Sequence, residues 1–247
     1  MIPIKDTIQS RSFPLVTWLL IIANVLVFVL IELPLGQTQL NRLISIYGVT
    51  PNLCAAPILN GISTASIPGL GTLFQGCAIP LLTSMFLHGG WVHIIGNMWV
   101  LIIFGDNVED RLGSMRFLVF YLICGVASGL TQAFIAPASQ VPAIGASGAI
   151  AGVLAAYVVF FPRARVVTFI PLFILPWFVN IPALVFIAIW FLLQFFSGLL
   201  ALSGAASGGV AYWAHVGGFV CGLLLVWIFA GGSKNRPKVY PDEYHPW

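Results

Sequence analysis

Residues 14–33 read PLVTWLLIIANVLVFVLIEL, and this stretch decides the class of fold. Its twenty residues include one charged side chain, Glu32, near the far end. At a rise of about 1.5 Å per residue, a helix of this length spans the roughly 30 Å hydrocarbon core of a bilayer. The stretch is therefore predicted to cross a membrane as a helix.

The chain as a whole is also strongly apolar. Its 247 residues are 60% hydrophobic and 7% charged, with a mean hydropathy of +1.02. A soluble domain cannot hide that much apolar surface. The sequence therefore predicts an all-α polytopic membrane protein with six transmembrane helices, which lie near 14–33, 91–108, 115–135, 147–161, 179–201 and 209–230.

The segment from Val166 to Val179 is apolar too, but it is not counted as a span. Pro171 and Pro176 interrupt its backbone hydrogen bonding, and the segment is too short to cross a bilayer as a separate helix. It is predicted to be an interfacial or re-entrant stretch.

Positive charges set the predicted orientation, because Lys and Arg accumulate on the cytoplasmic side of short loops. With six spans, nine of the ten basic residues fall on one side and only Arg42 on the other. This predicts that both termini are cytoplasmic, with an N-terminal segment at 1–13, a membrane domain at 14–230 and a tail at 231–247. The formal net charge of +3 is scattered along the chain, which argues against nucleic acid as a partner.

The charged residues that end the second span are expected to form a solvated cytoplasmic turn with local ion pairs. They are Asp106, Glu109, Asp110 and Arg111.

The long first loop, about 34–90, is predicted to lie on the non-cytoplasmic side. It contains Cys54 and Cys77 in a compartment that tolerates disulfides. The sequence leaves open whether these two residues form a bridge or remain free thiols. His88 is expected to be an interfacial residue of this loop. No Cys or His pair has the spacing of a zinc site, so neither a metal nor another cofactor is predicted.

Four polar residues are predicted to lie at membrane depth, where polar side chains are costly and indicate function by default. The second, fourth and sixth spans all run from outside to inside and carry these residues near their outer ends: His93 and Asn97, then Ser147, then His215. His93 and Asn97 are one helical turn apart and share a face. His215 lies roughly 9 Å into its span, a depth that matches the start of the short fourth helix.

These residue types indicate nucleophilic catalysis. A serine hydroxyl becomes a nucleophile when a base takes its proton, and a neutral imidazole is the usual base, so Ser147 and His215 form a candidate pair. Six of the seven carboxylates are predicted to be cytoplasmic, and the seventh is Glu32. A dyad is therefore predicted instead of a triad. The amide of Ser147 and the side chains of His93 and Asn97 are candidate donors to an oxyanion.

Three sequence elements together resemble the signature of rhomboid proteases. They are Gly145-Ala146-Ser147-Gly148, the His93 to Asn97 spacing, and Ala214-His215-Val216-Gly217-Gly218 followed by Gly222. The resemblance covers roughly 83–230. It implies a six-helix fold in which Ser147 attacks a peptide bond, His215 is the base, and His93, Asn97 and the amide of Ser147 hold the oxyanion. It also implies cleavage of single-pass transmembrane substrates near their outer membrane boundary, within the lipid bilayer and without metal or nucleotide.

Other features of the chain bear on this resemblance. Gly218 and Gly222 are predicted to pack the sixth helix against the fourth. The loop from Ser203 to Gly209, rich in Gly, Ala and Ser, fits a flexible connector, whereas the resemblance implies that it caps the site and moves to admit substrate. Many family members have a Trp-Arg pair in the first loop, which is missing here. Some members stack an aromatic ring on the catalytic histidine from the position four after the serine, which here is Ala151. Either another side chain orients His215 or its ring is held more loosely.

Each candidate residue also has an explanation without catalysis. Ser147 lies among small residues that let helices approach closely. His215 fits a buried imidazole bonded to a carbonyl, and His93 with Asn97 fits an interhelical hydrogen bond. The alternative function is a catalytically inactive rhomboid-like protein that binds membrane clients. A transporter is disfavoured, because the chain has no two matched halves with broken helices. The short termini suit a prokaryotic plasma membrane, while the natural substrate and the oligomeric state are not predicted.

Overall fold

The computed structural model describes residues 1–64, 74–172, 175–203 and 209–231. Most of the predicted tail and most of the predicted capping loop lie outside these residues. In chain order, the elements are β1 (Ile2–Asp6), α1 (Leu15–Val27) prolonged by a π-helical turn (Phe28–Glu32), α2 (Gln37–Tyr47), α3 (Pro51–Thr64), a second π-helical turn (Phe74–Ala78), α4 (Ile79–Thr83) followed by a 3-10 turn (Ser84–Phe86), α5 (Trp91–Leu112), α6 (Ser114–Ile135), α7 (Ser147–Phe160), β2 (Arg165–Leu172), β3 (Leu175–Pro182), α8 (Ala183–Leu202) and α9 (Tyr212–Ala230).

Six apolar helices correspond to the six predicted spans. In the part of the chain that the structure describes, five are long and apolar enough to cross a membrane: Leu15–Glu32, Trp91–Leu112, Ser114–Ile135, Ala183–Leu202 and Tyr212–Ala230. The sixth is α7, a shorter apolar helix of 14 residues. The predicted polytopic helical bundle is therefore confirmed. The fifth span begins at Ala183 and not at 179, because the preceding residues belong to β3.

Helix α7 lies at the centre of the bundle. Every residue from Gly148 to Tyr157 is buried, and the helix packs against α5, α6 and α9. A helix that is apolar all round belongs inside a bundle. Because α7 presents small residues, α9 approaches it closely: a Cβ added at Gly218 would lie 1.9 Å from the carbonyl oxygen of Gly148, and one at Gly222 would lie 2.5 Å from that of Gly152.

The segment predicted to be interfacial or re-entrant folds as a β-hairpin. Strands β2 and β3 pair antiparallel, and β1 joins β2 to complete a three-stranded sheet. Val166 and Thr168 are buried while Val167 between them is half-buried, the alternation of a strand with one covered face. Pro171 and Pro176 are partners in the strand register near the hairpin end, where missing amide donors cost least. The pairing with β2 brings the N-terminal strand to the same end of the bundle as the hairpin.

Strand β1 is also fixed to the bundle through Asp6. Its carboxylate accepts hydrogen bonds from the Tyr157 hydroxyl (2.5 Å) and from Nδ2 of Asn107 (2.9 Å). Burial, partly offset by the bond from Tyr157, raises the pKa of Asp6 to about 7. The first strand therefore docks through a carboxyl group that titrates near neutrality.

The prediction of a solvated turn after the second span is wrong for Glu109 and Asp110. Both are buried, with 2% and 6% of their surface exposed. Glu109 accepts hydrogen bonds from the amides of Val16 (2.9 Å) and Thr17 (2.8 Å), and from the hydroxyls of Thr17 (2.8 Å) and Ser114 (2.6 Å). The first amides of a helix have no partners within it. The carboxylate of Glu109 accepts two of these amides at the start of α1. It can do so only if it is buried where α1 meets α5.

The long first loop contains α2, α3 and α4 and packs on α6. A disulfide joins Cys54 of α3 to Cys77, with a Cα–Cα distance of 4.4 Å. Around it, Val49, Leu81 and Ala133 form a small buried apolar cluster. The loop is thus tied both covalently and by packing near the end of the bundle where α7 begins.

Candidate active site

Ser147 is the first residue of α7 and follows a turn that only glycine fits. Gly145 has a φ of +118°, and a Cβ there would lie 2.6 Å from Nε2 of His93. The amide of Gly145 donates to the carbonyl of Ser84 at 2.8 Å, which anchors the turn to the 3-10 segment before α5. This turn therefore places Ser147, at the start of α7, beside the first turn of α5.

His215 lies opposite Ser147 near the start of α9. Its Nε2 is 2.7 Å from the Ser147 hydroxyl oxygen. Two contacts hold α9 at this position: the close approach of Gly218 to Gly148 and a 3.2 Å hydrogen bond from the Ala214 amide to Oε1 of Gln132. Both members of the predicted dyad are half-buried. The geometry is that of a hydroxyl bonded to a base.

His93 and Asn97, one turn apart on α5, face the turn that precedes Ser147. A Cβ atom added at Gly145 would lie 2.6 Å from Nε2 of His93 and 3.6 Å from Nδ2 of Asn97. The Nδ1 atom of His93 accepts a hydrogen bond from the Gly89 amide at 3.3 Å, so a neutral ring carries its proton on Nε2. Nδ2 of Asn97 is buried and has no partner among the described residues. Two side-chain donors are thus directed at the backbone beside the serine.

A cavity of about 730 Å³ lies beside the dyad, and its lining includes Ser147, His215, His93, Gly145 and Gly148. The amides of the first turn of α7 have no intrahelical acceptors, since they begin a helix. The cavity therefore combines a hydroxyl, a base and several N–H donors, which is the set required to attack a carbonyl and to hold the resulting oxyanion.

His88 lies in the loop that leads into α5, as predicted, and its side chain is buried. The residue is 1% exposed, and its ring lies 5.0 Å from that of His93 in an edge-to-face contact. Its amide donates to both carboxylate oxygens of Glu32, at 3.0 and 3.1 Å. Burial, followed by the nearby His93, lowers the pKa of His88 to about 4, so the ring is neutral at physiological pH. Glu32 and His88 hold the backbone that leads into α5.

Two further side chains at the site were missed. Oε1 of Gln194, on α8, is 2.8 Å from Nδ1 of His215, and the ring of Trp190 lies 5.8 Å from the imidazole, centroid to centroid. The available signal was Gln194 itself, a polar residue in the run FLLQFF of a membrane helix. Among the residues that the structure describes, no group of three or more His, Cys, Asp or Glu side chains is arranged to hold a metal ion.

The fold and the site together define a polytopic membrane protein with a paired serine and histidine at the end of a central short helix. The Rhomboid domain family matches residues 75–232, which is more than half of the chain. The chain therefore belongs to the rhomboid family.

Curated relatives support this assignment. The chain is similar to RHOMBOID-like protein 6, mitochondrial, from Arabidopsis thaliana, at 30% identity over 56% of this chain and 48% of the relative. It is 31% identical to the human Presenilin-associated rhomboid-like protein, mitochondrial, over 62% of this chain and 35% of the relative. It is also 31% identical to Rhomboid protease GluP from Bacillus subtilis, over 62% of this chain and 26% of that protein. The matched region spans about half or less of each relative's own length.

The relatives bear on the predicted location. Mitochondrial and chloroplastic names occur among them, as does a bacterial one. The family match and the membrane-length helices support an integral, multi-pass membrane location. The relatives do not support the predicted prokaryotic plasma membrane.

Proposed function

We propose that the protein is an intramembrane serine endopeptidase that uses Ser147 and His215 as a catalytic dyad. The observation that carries the proposal is the 2.7 Å contact between the Ser147 hydroxyl and His215 Nε2, made by two separate helices beside a cavity. A serine in a stripe of helix packing does not need a cavity next to its hydroxyl. A buried structural histidine does not need a serine as its partner.

In the proposed reaction, the Ser147 oxygen attacks the carbonyl carbon of a peptide bond while its proton moves to His215 Nε2. The tetrahedral intermediate collapses when the C–N bond breaks, and the leaving amine takes the proton from His215. This leaves an acyl-enzyme ester on Ser147. A water molecule, deprotonated by His215, then hydrolyses the ester and restores the hydroxyl.

The oxyanion is proposed to be held by the Ser147 amide and by the side chains of His93 and Asn97. Support comes from the hydrogen bond of the Gly89 amide to Nδ1 of His93, which leaves Nε2 to carry the proton of a neutral ring. It also comes from the buried Nδ2 of Asn97, which has no partner in the described ranges. Leaving a buried donor unpaired costs about 1–3 kcal/mol. That cost is recovered if the donor binds a charge that develops during the reaction.

The proposed substrates are single-pass transmembrane proteins cut near the outer membrane boundary. Support comes from the position of Ser147 at the start of a short helix, which places the nucleophile below the ends of its longer neighbours if the helices share a centre. In this proposal both termini are cytoplasmic, and the dyad needs no metal.

The test is labelling of the purified protein by a fluorophosphonate probe, alongside cleavage of a generic transmembrane substrate in detergent and in liposomes. Wild type should label and cleave, while Ser147→Ala and His215→Ala should do neither. Ser45→Ala is the matched control, because Ser45 is exposed on α2 and, among the described residues, its hydroxyl donates to the carbonyl of Arg42 in the same helix. A folded wild type that neither labels nor cleaves would support the alternative, an inactive rhomboid-like protein that binds membrane clients.

A further inference from the structure

Helix α8 holds His215 from the side opposite Ser147. The imidazole bonds to Ser147 through Nε2 and to Gln194 through Nδ1, at 2.7 and 2.8 Å. Trp190, one turn before Gln194, lies beside the same ring with an interplanar angle of 36°. Ala151, by contrast, has no aromatic ring to offer. The two α8 side chains therefore fix both the in-plane direction and the tilt of the imidazole.

We infer that Gln194 is a positioning residue that selects the tautomer and orientation of His215 required for it to act as a base. This inference rests on the proposed serine protease activity. A neutral imidazole carries one N–H, and the oxygen of an amide side chain accepts but cannot donate. A hydrogen bond to Oε1 of Gln194 therefore places that proton on Nδ1, which leaves the lone pair of Nε2 free to take the proton of Ser147.

The chemical environment explains why an amide suits this position. The second partner of a catalytic histidine is often a carboxylate, whose charge is expensive in a bilayer. A glutamine accepts the same hydrogen bond without a charge, and it is the polar side chain within the apolar run Phe191 to Phe196. A half-buried amide in such surroundings is costly unless it is hydrogen-bonded, so the pairing with His215 satisfies both groups.

The experiment compares four variants of the whole chain. Gln194→Met removes the acceptor at similar length, Gln194→Asn keeps the amide but withdraws it by about 1.5 Å, and Gln194→Glu restores an acceptor at either terminal oxygen. Leu193→Ala is the control, because this neighbour on α8 is 61% exposed. Each variant is first checked for a monodisperse peak in gel filtration. The labelling rate with the fluorophosphonate probe is then measured, together with kcat and KM for the transmembrane substrate.

We expect Gln194→Met and Gln194→Asn to lower the labelling rate and kcat by about 10- to 100-fold, with KM changed less than about twofold. Gln194→Glu, which keeps an acceptor but adds a costly charge, should retain more activity than Gln194→Met, and Leu193→Ala should match wild type. A purely structural role would not separate kcat from KM or be rescued by Glu. Wild-type kcat in Gln194→Met, or equal losses in the Met and Glu variants, would overturn this inference alone. An unlabelled wild type would instead overturn the proposed function, and the inference with it.

Discussion

Adding one methyl group to α9 should separate the two members of the dyad. A Cβ at Gly218 would lie 1.9 Å from the carbonyl oxygen of Gly148, whereas real Cβ atoms essentially never come closer than 3.0 Å. The obstacle is backbone, so α9 has to retreat from α7 by about 1.1 Å. His215 is one turn before Gly218, and the same retreat stretches its 2.7 Å contact with Ser147 beyond hydrogen-bond length. A misplacement of about 1 Å in an active site costs on the order of 100-fold in rate.

The assay is the labelling rate of Gly218→Ala with a fluorophosphonate probe, measured on protein that elutes as a single peak in gel filtration. Gly222→Ala should be slowed less, because its Cβ would lie 2.5 Å from the oxygen of Gly152 and two turns from His215. Gly96→Ala is the matched control: this glycine is also helical, and a Cβ there meets no atom within 4 Å.

A labelling rate for Gly218→Ala within about twofold of wild type would refute the reasoning, because the close contact would then not set the position of His215. If Gly218→Ala does not fold, the comparison of Gly222→Ala with Gly96→Ala carries the test. Equal rates for those two variants would also contradict it.

Three further predictions concern stability. Glu109→Ala leaves buried amides at the start of α1 without an acceptor and should lower the free energy of unfolding by about 2–6 kcal/mol, measured by SDS titration; Glu109→Gln should cost less, and equal costs would contradict the capping role. The folded state holds a proton on Asp6 up to about pH 7, whereas the unfolded chain loses it near pH 3.8, so stability should fall as the pH rises from about 4 to 7 and then level off. Asp6→Asn should reduce the difference in Tm between pH 5 and pH 8; an unchanged difference would exclude Asp6 as its source. Cys54→Ser with Cys77→Ser should cost about 3 kcal/mol and abolish any effect of dithiothreitol on Tm; a reductant effect that persists would have another origin.

The sequence determined the number and order of the membrane helices, because a bilayer imposes a minimum length of apolar residues on each span. The sequence also predicts a common membrane depth for Ser147 and His215. Their spans run in the same direction, and polar residues at membrane depth are rare enough to stand out. The His93 to Asn97 spacing fixes one helix face by local geometry alone. These predictions rest on the length of each apolar segment, its helical periodicity and the cost of burying its polar side chains, all of which are properties of the segment by itself.

The tertiary structure decided which groups meet across large separations in the chain. The sequence predicts a solvated turn at Glu109, yet its carboxylate accepts the amide of Val16 in the first turn of α1, 93 residues earlier. The hairpin was missed because its strands are satisfied by each other and by β1, which lies more than 150 residues away. Gln194 is 21 residues from His215, and its place in an apolar run does not indicate which residue it bonds. The pattern of a segment indicates whether it forms a helix or a strand. A hydrogen bond between two helices depends also on the rotation of each helix about its axis and on the distance between the axes. In this bundle both are set when the small residues of α7 and α9 pack together.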